Sequence, residues 1–316
     1  MAYNKPWKSY PDQLEQLMRR GLIVTDQEKA LNYLKRIGYY RLSGYWYPFR
    51  KRSNAGDQAV LDTFKAGASF QNAVDLYVFD KKLRLLVLDA LERIEIALRV
   101  DISHTLGKKD PFAHTKPEFL ANNFAKKVNK NTGVTQHKRW LDNHDRLVSR
   151  SRETFIEHNR NKYGLPLPVW VACEIWDFGT LSKLFAGMKP EDKNAIAKKY
   201  GVSNGKVFQS WLRSLNYLRN VCAHHSRLWN RNIVDRPQFP SISDIENGKP
   251  FLTDCHINQR VFFLLCISKH LLNIINPNST WGQRLRTLLL EFPDLRHLEL
   301  DLTSMGTLEG WEKWNW

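Results

Sequence analysis

Glycine-rich phosphate loops, C-x-x-C pairs and alternating strand patterns are all missing from this sequence of 316 residues, and acidic side chains are scarce relative to basic ones. Each absence narrows the reading. Lacking the glycine loops, the chain has no nucleotide cradle of the P-loop or dinucleotide-binding kind, and no cofactor is implied. Its four cysteines, Cys173, Cys222, Cys255 and Cys266, have no zinc-like spacing to histidine. Reduced and mostly buried thiols are expected, with neither a disulfide framework nor a metal site. The most apolar stretch, Val261 to Ile275, is interrupted by Ser268, Lys269 and His270 and is too short to cross a bilayer. The N-terminus carries no apolar run with a small-residue cleavage site, so a cytoplasmic location is expected. No repeat with a period of roughly 20 to 50 residues is visible.

What is present is positive charge and aromatic mass. Lys and Arg number 48 against 32 Asp and Glu, a formal net charge of +16, while 42% of residues are hydrophobic and 12% aromatic. That much apolar material buries a sizeable core, which excludes a disordered polybasic tail. Spread over a folded surface, the excess points to a polyanionic partner, either nucleic acid or an anionic membrane face.

Periodicity predicts an all-α fold. Asp12 to Arg20 and Asp26 to Ile37 read as short helices, with Leu14 and Leu17 in the first and Leu31, Leu34 and Ile37 in the second, punctuated by Gly21 and Gly38. Tyr39 to Phe49 packs six aromatics into eleven residues, and Pro48 argues there for a turn or short irregular segment. A long central helix is predicted from about Ser69 to Leu106, with Leu83, Val87, Leu91, Ile94, Leu98 and Ile102 along one face. Lys108 to Lys162 then carries 13 Lys and Arg against six Asp and Glu, a local excess of seven, together with His114, His137, His144 and His158. Further helices are expected at Pro168 to Trp176, Thr180 to Met188, Glu191 to Tyr200, Ser203 to Cys222, Asn258 to Ile275 and Trp281 to Glu291. A loop rich in Pro, Ser and Asn spans Asn230 to Lys249. The expected organisation is an N-terminal helical and aromatic segment (1–60), a helical core (61–276) with the basic insertion at about 108–162, and a C-terminal helical extension (277–316).

The segment Leu215 to Arg231 carries the chemistry. Two adjacent histidines, His224 and His225, follow Arg219 where an apolar-periodic helix gives way to polar residues. Cleaving RNA needs a proton taken from the 2′-OH, one delivered to the 5′-oxygen, and stabilisation of a phosphorane; imidazole and guanidinium supply these. The spacing alone is weak: with 23 Arg and 10 His, any one Arg-to-His separation is expected by chance roughly 0.7 times. Arg139 and His144 repeat it, and Arg152 and His158 nearly so. Five helical steps of about 100° also place Arg219 and His224 roughly 140° apart. Either the helix ends near Cys222 and the chain swings His224 back, or a second subunit completes the site.

Arg219-Asn220-Val221-Cys222-Ala223-His224-His225-Ser226-Arg227-Leu228-Trp229-Asn230-Arg231 resembles the R-N-x-x-x-H-H-x-R-L-W-N-R segment of the Abi-like abortive-infection proteins. Three further stretches resemble motifs of the same family in the same order: Leu34 to Phe49, Leu91 to Arg99 and Pro168 to Ile175. The resemblance implies the HEPN superfamily, helical proteins whose R-x4-6-H motif supplies a metal-independent ribonuclease site. It implies Arg219 and His224 as catalytic residues, with Asn220 as polar companion and His225 and Arg227 in support. It also implies a bacterial phage-defence toxin with an endoribonuclease activity, a homodimer pairing two motifs across a cleft and, in the AbiF branch this chain looks most like, a small structured non-coding RNA as partner.

The remaining candidates stay open between two readings. Glu92, Glu95 and Arg99 share a face of the central helix; Glu95 and Arg99 either orient the Arg219/His224 pair or form a solvated i,i+4 contact. Glu174 is a candidate buried partner for an arginine. The aromatic segment either stacks on RNA bases beside Arg41 or packs an N-terminal lobe, and its density of large side chains favours packing. The basic segment, through Lys126, Lys127, Lys130, Lys138, Arg139, Arg146 and Arg150, suits an RNA backbone groove interspersed with His and Trp140. Against the nuclease stands a non-catalytic, structured-RNA-binding protein using the same arginines and histidines.

Overall fold

The computed structural model describes residues 6–53, 59–241, 244 and 257–316. Among the described residues, thirteen α-helices, short 3₁₀ turns and one two-stranded sheet make up the regular structure, so the all-α expectation holds. Helix α1 (Tyr10–Arg19) starts with a capping box between Ser9 and Asp12, and α2 (Gln27–Ile37) is capped by Asp26. Each cap satisfies orphan amides of a first turn. Gly38, at φ 91°, makes the break before the next helix, a conformation that favours glycine.

That next helix, α3 (Tyr39–Trp46), corrects the irregular segment expected here. Pro48 follows the helix, inside a 3₁₀ turn (Tyr47–Phe49) near whose start proline is tolerated, so it does not interrupt α3. The chain continues into β1 (Arg50–Arg52) and β2 (Val60–Phe64), an antiparallel pair that no alternation announced because its residues are mostly exposed.

Helix α4 (Phe70–Gly107) is the spine, 38 residues and about 57 Å long. Leu83, Val87, Leu91, Ile94, Leu98 and Ile102 are all buried, as their periodicity predicted. After α4 come α5 (Asn122–Ala125), α6 (Gln136–Arg150), α7 (Thr154–Tyr163), α8 (Val169–Ala172), α9 (Phe178–Gly187), α10 (Pro190–Lys199), α11 (Gly205–Ala223), α12 (Val261–Ile275) and α13 (Trp281–Leu290). Helices α3, α8, α9, α11, α12 and α13 all pack on α4, so one continuous apolar core joins the N-terminal segment to the C-terminal extension. Residues Asn230 to Ser241 are coil, as read; most of the rest of that predicted loop, with Cys255, lies outside the described residues.

Cys173, Cys222 and Cys266 are free and buried, and burial raises all three thiols, Cys173 to about 11 and Cys222 to about 12. Among the described residues no helix is long and apolar enough to cross a membrane.

Three of the four histidines in the basic segment are core residues, which corrects their placement on an RNA groove. His114, His137 and His144 are buried around Trp140 and Trp176. His144 stacks on Trp140 at 5.4 Å between ring centroids and accepts a hydrogen bond on Nδ1 from Trp176 Nε1 at 3.0 Å. His137 Nε2 meets the His114 carbonyl at 2.8 Å, and Trp140 Nε1 donates to the Thr180 carbonyl. Burial lowers all three imidazoles, His114 to about 3, so they are neutral at pH 7. The knot ties α6 to α9; His158 alone of the four is exposed.

Candidate functional site

Helix α11 ends at Ala223 with His224 as its C-cap, and the His224 amide still donates to the Asn220 carbonyl at 3.0 Å. The turn comes one residue later. His225 adopts φ 55°, its amide donates to the Cys222 carbonyl and the Ser226 amide to the Val221 carbonyl, both at 3.0 Å. This is the Schellman pattern, with histidine where glycine is usual. It leaves both imidazoles exposed at the helix end.

The segment beyond is hung from one buried carboxylate. Asp80, fully buried on α4, accepts the Trp229 amide at 2.7 Å, the Leu228 amide at 3.1 Å and the Tyr45 hydroxyl at 2.7 Å. It also pairs with the Arg84 guanidinium one turn along α4. Burial raises the Asp80 acid, while Arg84, Tyr45 and the two amides favour the carboxylate. Every one of these partners donates, the arrangement a charged acceptor requires. The Tyr45 phenol is raised by burial and by the neighbouring Asp80 charge, and stays protonated. Leu228 and Trp229 are themselves buried, so the two histidines sit between a helix end and an anchored segment.

Above this anchor lies an open cleft of about 770 Å³ lined by α3 residues including Tyr40 and Arg41, by Tyr47 just past the end of that helix, and by His224, His225, Arg227 and Arg231. Arg41 donates to the His225 carbonyl at 2.5 Å, and Arg227 to the Gly44 carbonyl. Burial lowers the Arg227 guanidinium. Arg231 Nε donates to the Tyr217 hydroxyl at 2.7 Å, with its guanidinium over the same ring.

Arg219 belongs to a second polar group. Its guanidinium reaches Asn220 Oδ1 at 3.5 Å and lies near Glu95 on α4, which pairs with Arg99 at 3.2 Å. Burial raises the Glu95 carboxyl, opposed by Arg99 and Arg219. Arg99 also donates to the Trp176 carbonyl at 3.0 Å and pairs with Glu174 at 3.4 Å. Glu174 is therefore an arginine partner as read, though its side chain is 49% exposed rather than buried. The structure thus gathers Arg219, Asn220, Glu95 and Arg99 on one side of the end of α11, and His224, His225, Arg227 and Arg41 on the other. Among the described residues no hydrogen bond joins Arg219 to His224. Of the two arrangements open from the sequence, the backbone shows only where the turn falls: α11 runs on to Ala223 with His224 as its cap, and the chain turns at His225.

Of the expected RNA contacts, Arg41 alone lines the cleft. Lys126, Lys127, Lys130, Lys138, Arg139, Arg146 and Arg150 are all exposed, on α6 and on the segment leading into it. Lys138 pairs with Asp142 and Arg146 bonds Asn143. Sequence reasoning missed Asp80, Arg84 and Tyr45. An Asp and an Arg at i and i+4 on the apolar stripe of Leu76, Phe79, Leu83 and Val87 were the available signal, since a charge pair on a core face must find partners.

A long-spined helical protein that holds paired histidines and several arginines around an open cleft is the class that fold and site define. The sequence signature described as Abi-like protein matches residues 32–230, and the chain belongs to that family, which points to a role in abortive-infection defence. No curated protein and no solved structure matches the chain.

Proposed function

We propose that the protein is a metal-independent endoribonuclease of the HEPN type, a toxin that cuts RNA during abortive infection. His224 is the acid/base and Arg219 the phosphate stabiliser. The 2′-oxygen of the substrate attacks the adjacent phosphorus as its proton passes to imidazole. The bond from phosphorus to the 5′-oxygen breaks, and that oxygen takes up a proton. A 2′,3′-cyclic phosphate and a 5′-hydroxyl result. Exposure of His224 to solvent suits proton exchange, and the guanidinium of Arg219 offers donors to phosphorane oxygens.

The observation that carries this reading is the pair of exposed imidazoles, His224 and His225, held at a cleft with Arg41 and Arg231 by the buried Asp80 anchor. Within one chain Arg219 and His224 face different neighbours. A homodimer, setting one copy's Arg219 toward its partner's cleft, supplies the missing approach by an ordinary two-fold interface. Glu95 and Arg99 then fix the Arg219 side chain. The exposed cations of the α6 region extend the surface for RNA and would equally serve a small structured RNA partner. They also favour the second reading, a structured-RNA binder without catalysis.

RNA cleavage in EDTA by the wild type and by Arg219→Ala and His224→Ala decides between them. Loss of at least about a hundredfold in rate is expected for each substitution, with a cyclic phosphate end on the wild-type product. Cleavage that persists in both variants overturns the assignment. Salt-sensitive RNA binding with no product at all leaves the second reading standing.

A further inference from the structure

The aromatic segment divides into an inner and an outer set. Tyr45, Trp46 and Phe49 are buried, and Tyr39 meets Trp46 edge to face at 5.2 Å. Tyr40 is 92% exposed and Tyr47 48% exposed, and both line the His224 cleft. Seven residues apart, they lie on one face of α3 and its 3₁₀ extension, separated by about 10 Å of rise. The residues between them on that face, Ser43 and Gly44, are small, so the space between the two rings is not filled from below. Arg227 bounds it: a methyl group placed on Gly44 would lie 3.9 Å from the Arg227 side chain. The result is a slot with an aromatic ring at each end, a low floor, and Arg41, Arg227 and Arg231 around it.

We propose that Tyr40 and Tyr47 form a base-stacking subsite that admits an unpaired nucleotide of single-stranded RNA and presents its phosphate to the His224 cleft. The choice of RNA as ligand rests on the function proposed above. Aromatic faces beside cations are the pattern by which single strands are bound without sequence readout, since every base has a π-face and every nucleotide a phosphate. A paired duplex keeps its bases stacked inside and has none to offer the slot. The cleft therefore selects loops and unpaired stretches, and Tyr40 and Tyr47 position the strand without taking part in proton transfer.

The test uses the full chain and a short, unstructured 2′-O-methyl oligonucleotide carrying 2-aminopurine, which cannot be cleaved through a 2′-OH. Binding quenches the fluorophore by stacking, and the same strand hybridised to its complement binds less tightly. Tyr40→Ala weakens single-strand binding about tenfold and relieves the quench, whereas Tyr40→Phe, which keeps the ring, binds like the wild type. Tyr47→Ala acts in the same direction. Because Tyr40 is almost fully exposed, its removal leaves the core intact. Single-strand affinity and quench unchanged in both alanine variants overturn the subsite, as does failure of the wild type to bind the single strand. The two proposals fail separately: a Tyr40 effect on binding without any RNA cleavage leaves the subsite and removes the nuclease. Cleavage with single-strand binding unchanged in both alanine variants does the reverse.

Discussion

Histidines gather at two places in this protein and in opposite states. His114, His137 and His144 are sealed among Trp140 and Trp176, while His224 and His225 stand exposed at the end of α11. The first set cannot trade protons with a substrate, since burial holds the rings neutral, the Trp176 indole occupies Nδ1 of His144, and Nε2 of His137 meets a backbone carbonyl. The second has solvent on one side and arginines on the other. An imidazole's usefulness is set by what surrounds it: the buried set holds the basic helices onto the core, and the exposed set is free for chemistry because a different group, Asp80, carries the structural load.

Removing that load is the strongest way to break the contrast. Asp80→Ala leaves the Arg84 guanidinium, the Tyr45 hydroxyl and the Leu228 and Trp229 amides buried without their acceptor. Breaking a buried ion pair from one side costs about 3–5 kcal/mol. Urea denaturation should register a loss of that size, and the RNA-cleaving activity should fall with it as the His224 segment comes loose. A midpoint within experimental error of the wild type would show that Asp80 does not anchor the segment.

The buried set is tested by acid. An unfolded imidazole takes up a proton below about pH 6.5, whereas His114 in the folded chain resists until about pH 3. Between those values the unfolded state binds the extra proton. Stability is therefore full above pH 6.5 and falls on acidification, by about 1.4 kcal/mol per pH unit for this one group and roughly 2 kcal/mol by pH 5. His137 and His144 are lowered too and add in the same direction. The gap between denaturation midpoints at pH 7 and pH 5 should narrow in His114→Phe, which keeps an apolar ring and cannot protonate, with His137 and His144 supplying what remains. An unchanged pH slope would remove His114 from this role.

How far these two sets could be read from sequence follows from the range of the forces that build them. The α4 stripe was legible because a 3.6-residue period is local, and Arg219 to Arg231 because its residues are contiguous. Asp80 was not, since its partner Trp229 is 149 positions away and nothing in the local pattern of α4 names that amide. The same holds for His114 and His144, which look like part of a charged segment until Trp176 arrives from beyond it. Helix α3 was hidden by Pro48, read as a breaker. Pro48 falls past the helix end, and Gly44 within the helix offers its carbonyl to Arg227. In each case a tertiary contact, absent from any short window, overrode the local signal.

The smallest effect expected separates His225 from its neighbour. At φ 55° its backbone occupies the left-handed region, which costs a side-chain-bearing residue roughly 1 kcal/mol that glycine would not pay. A position selected only for stability would therefore carry glycine. His225→Gly should hold or raise stability, by up to about 1 kcal/mol after the greater freedom of glycine in the unfolded chain is counted. The Arg41 contact is to the residue 225 carbonyl and survives the change. Rate and stability then part company: if the His225 imidazole shares the proton transfers with His224, cleavage in EDTA drops while the melting temperature stays level or rises. If the rate is untouched, His224 works alone and the strained turn serves only to aim it. A fall in stability instead would mean that the exposed ring makes contacts worth more than the strain, and that the contrast between a structural and a chemical set of histidines does not extend to this residue.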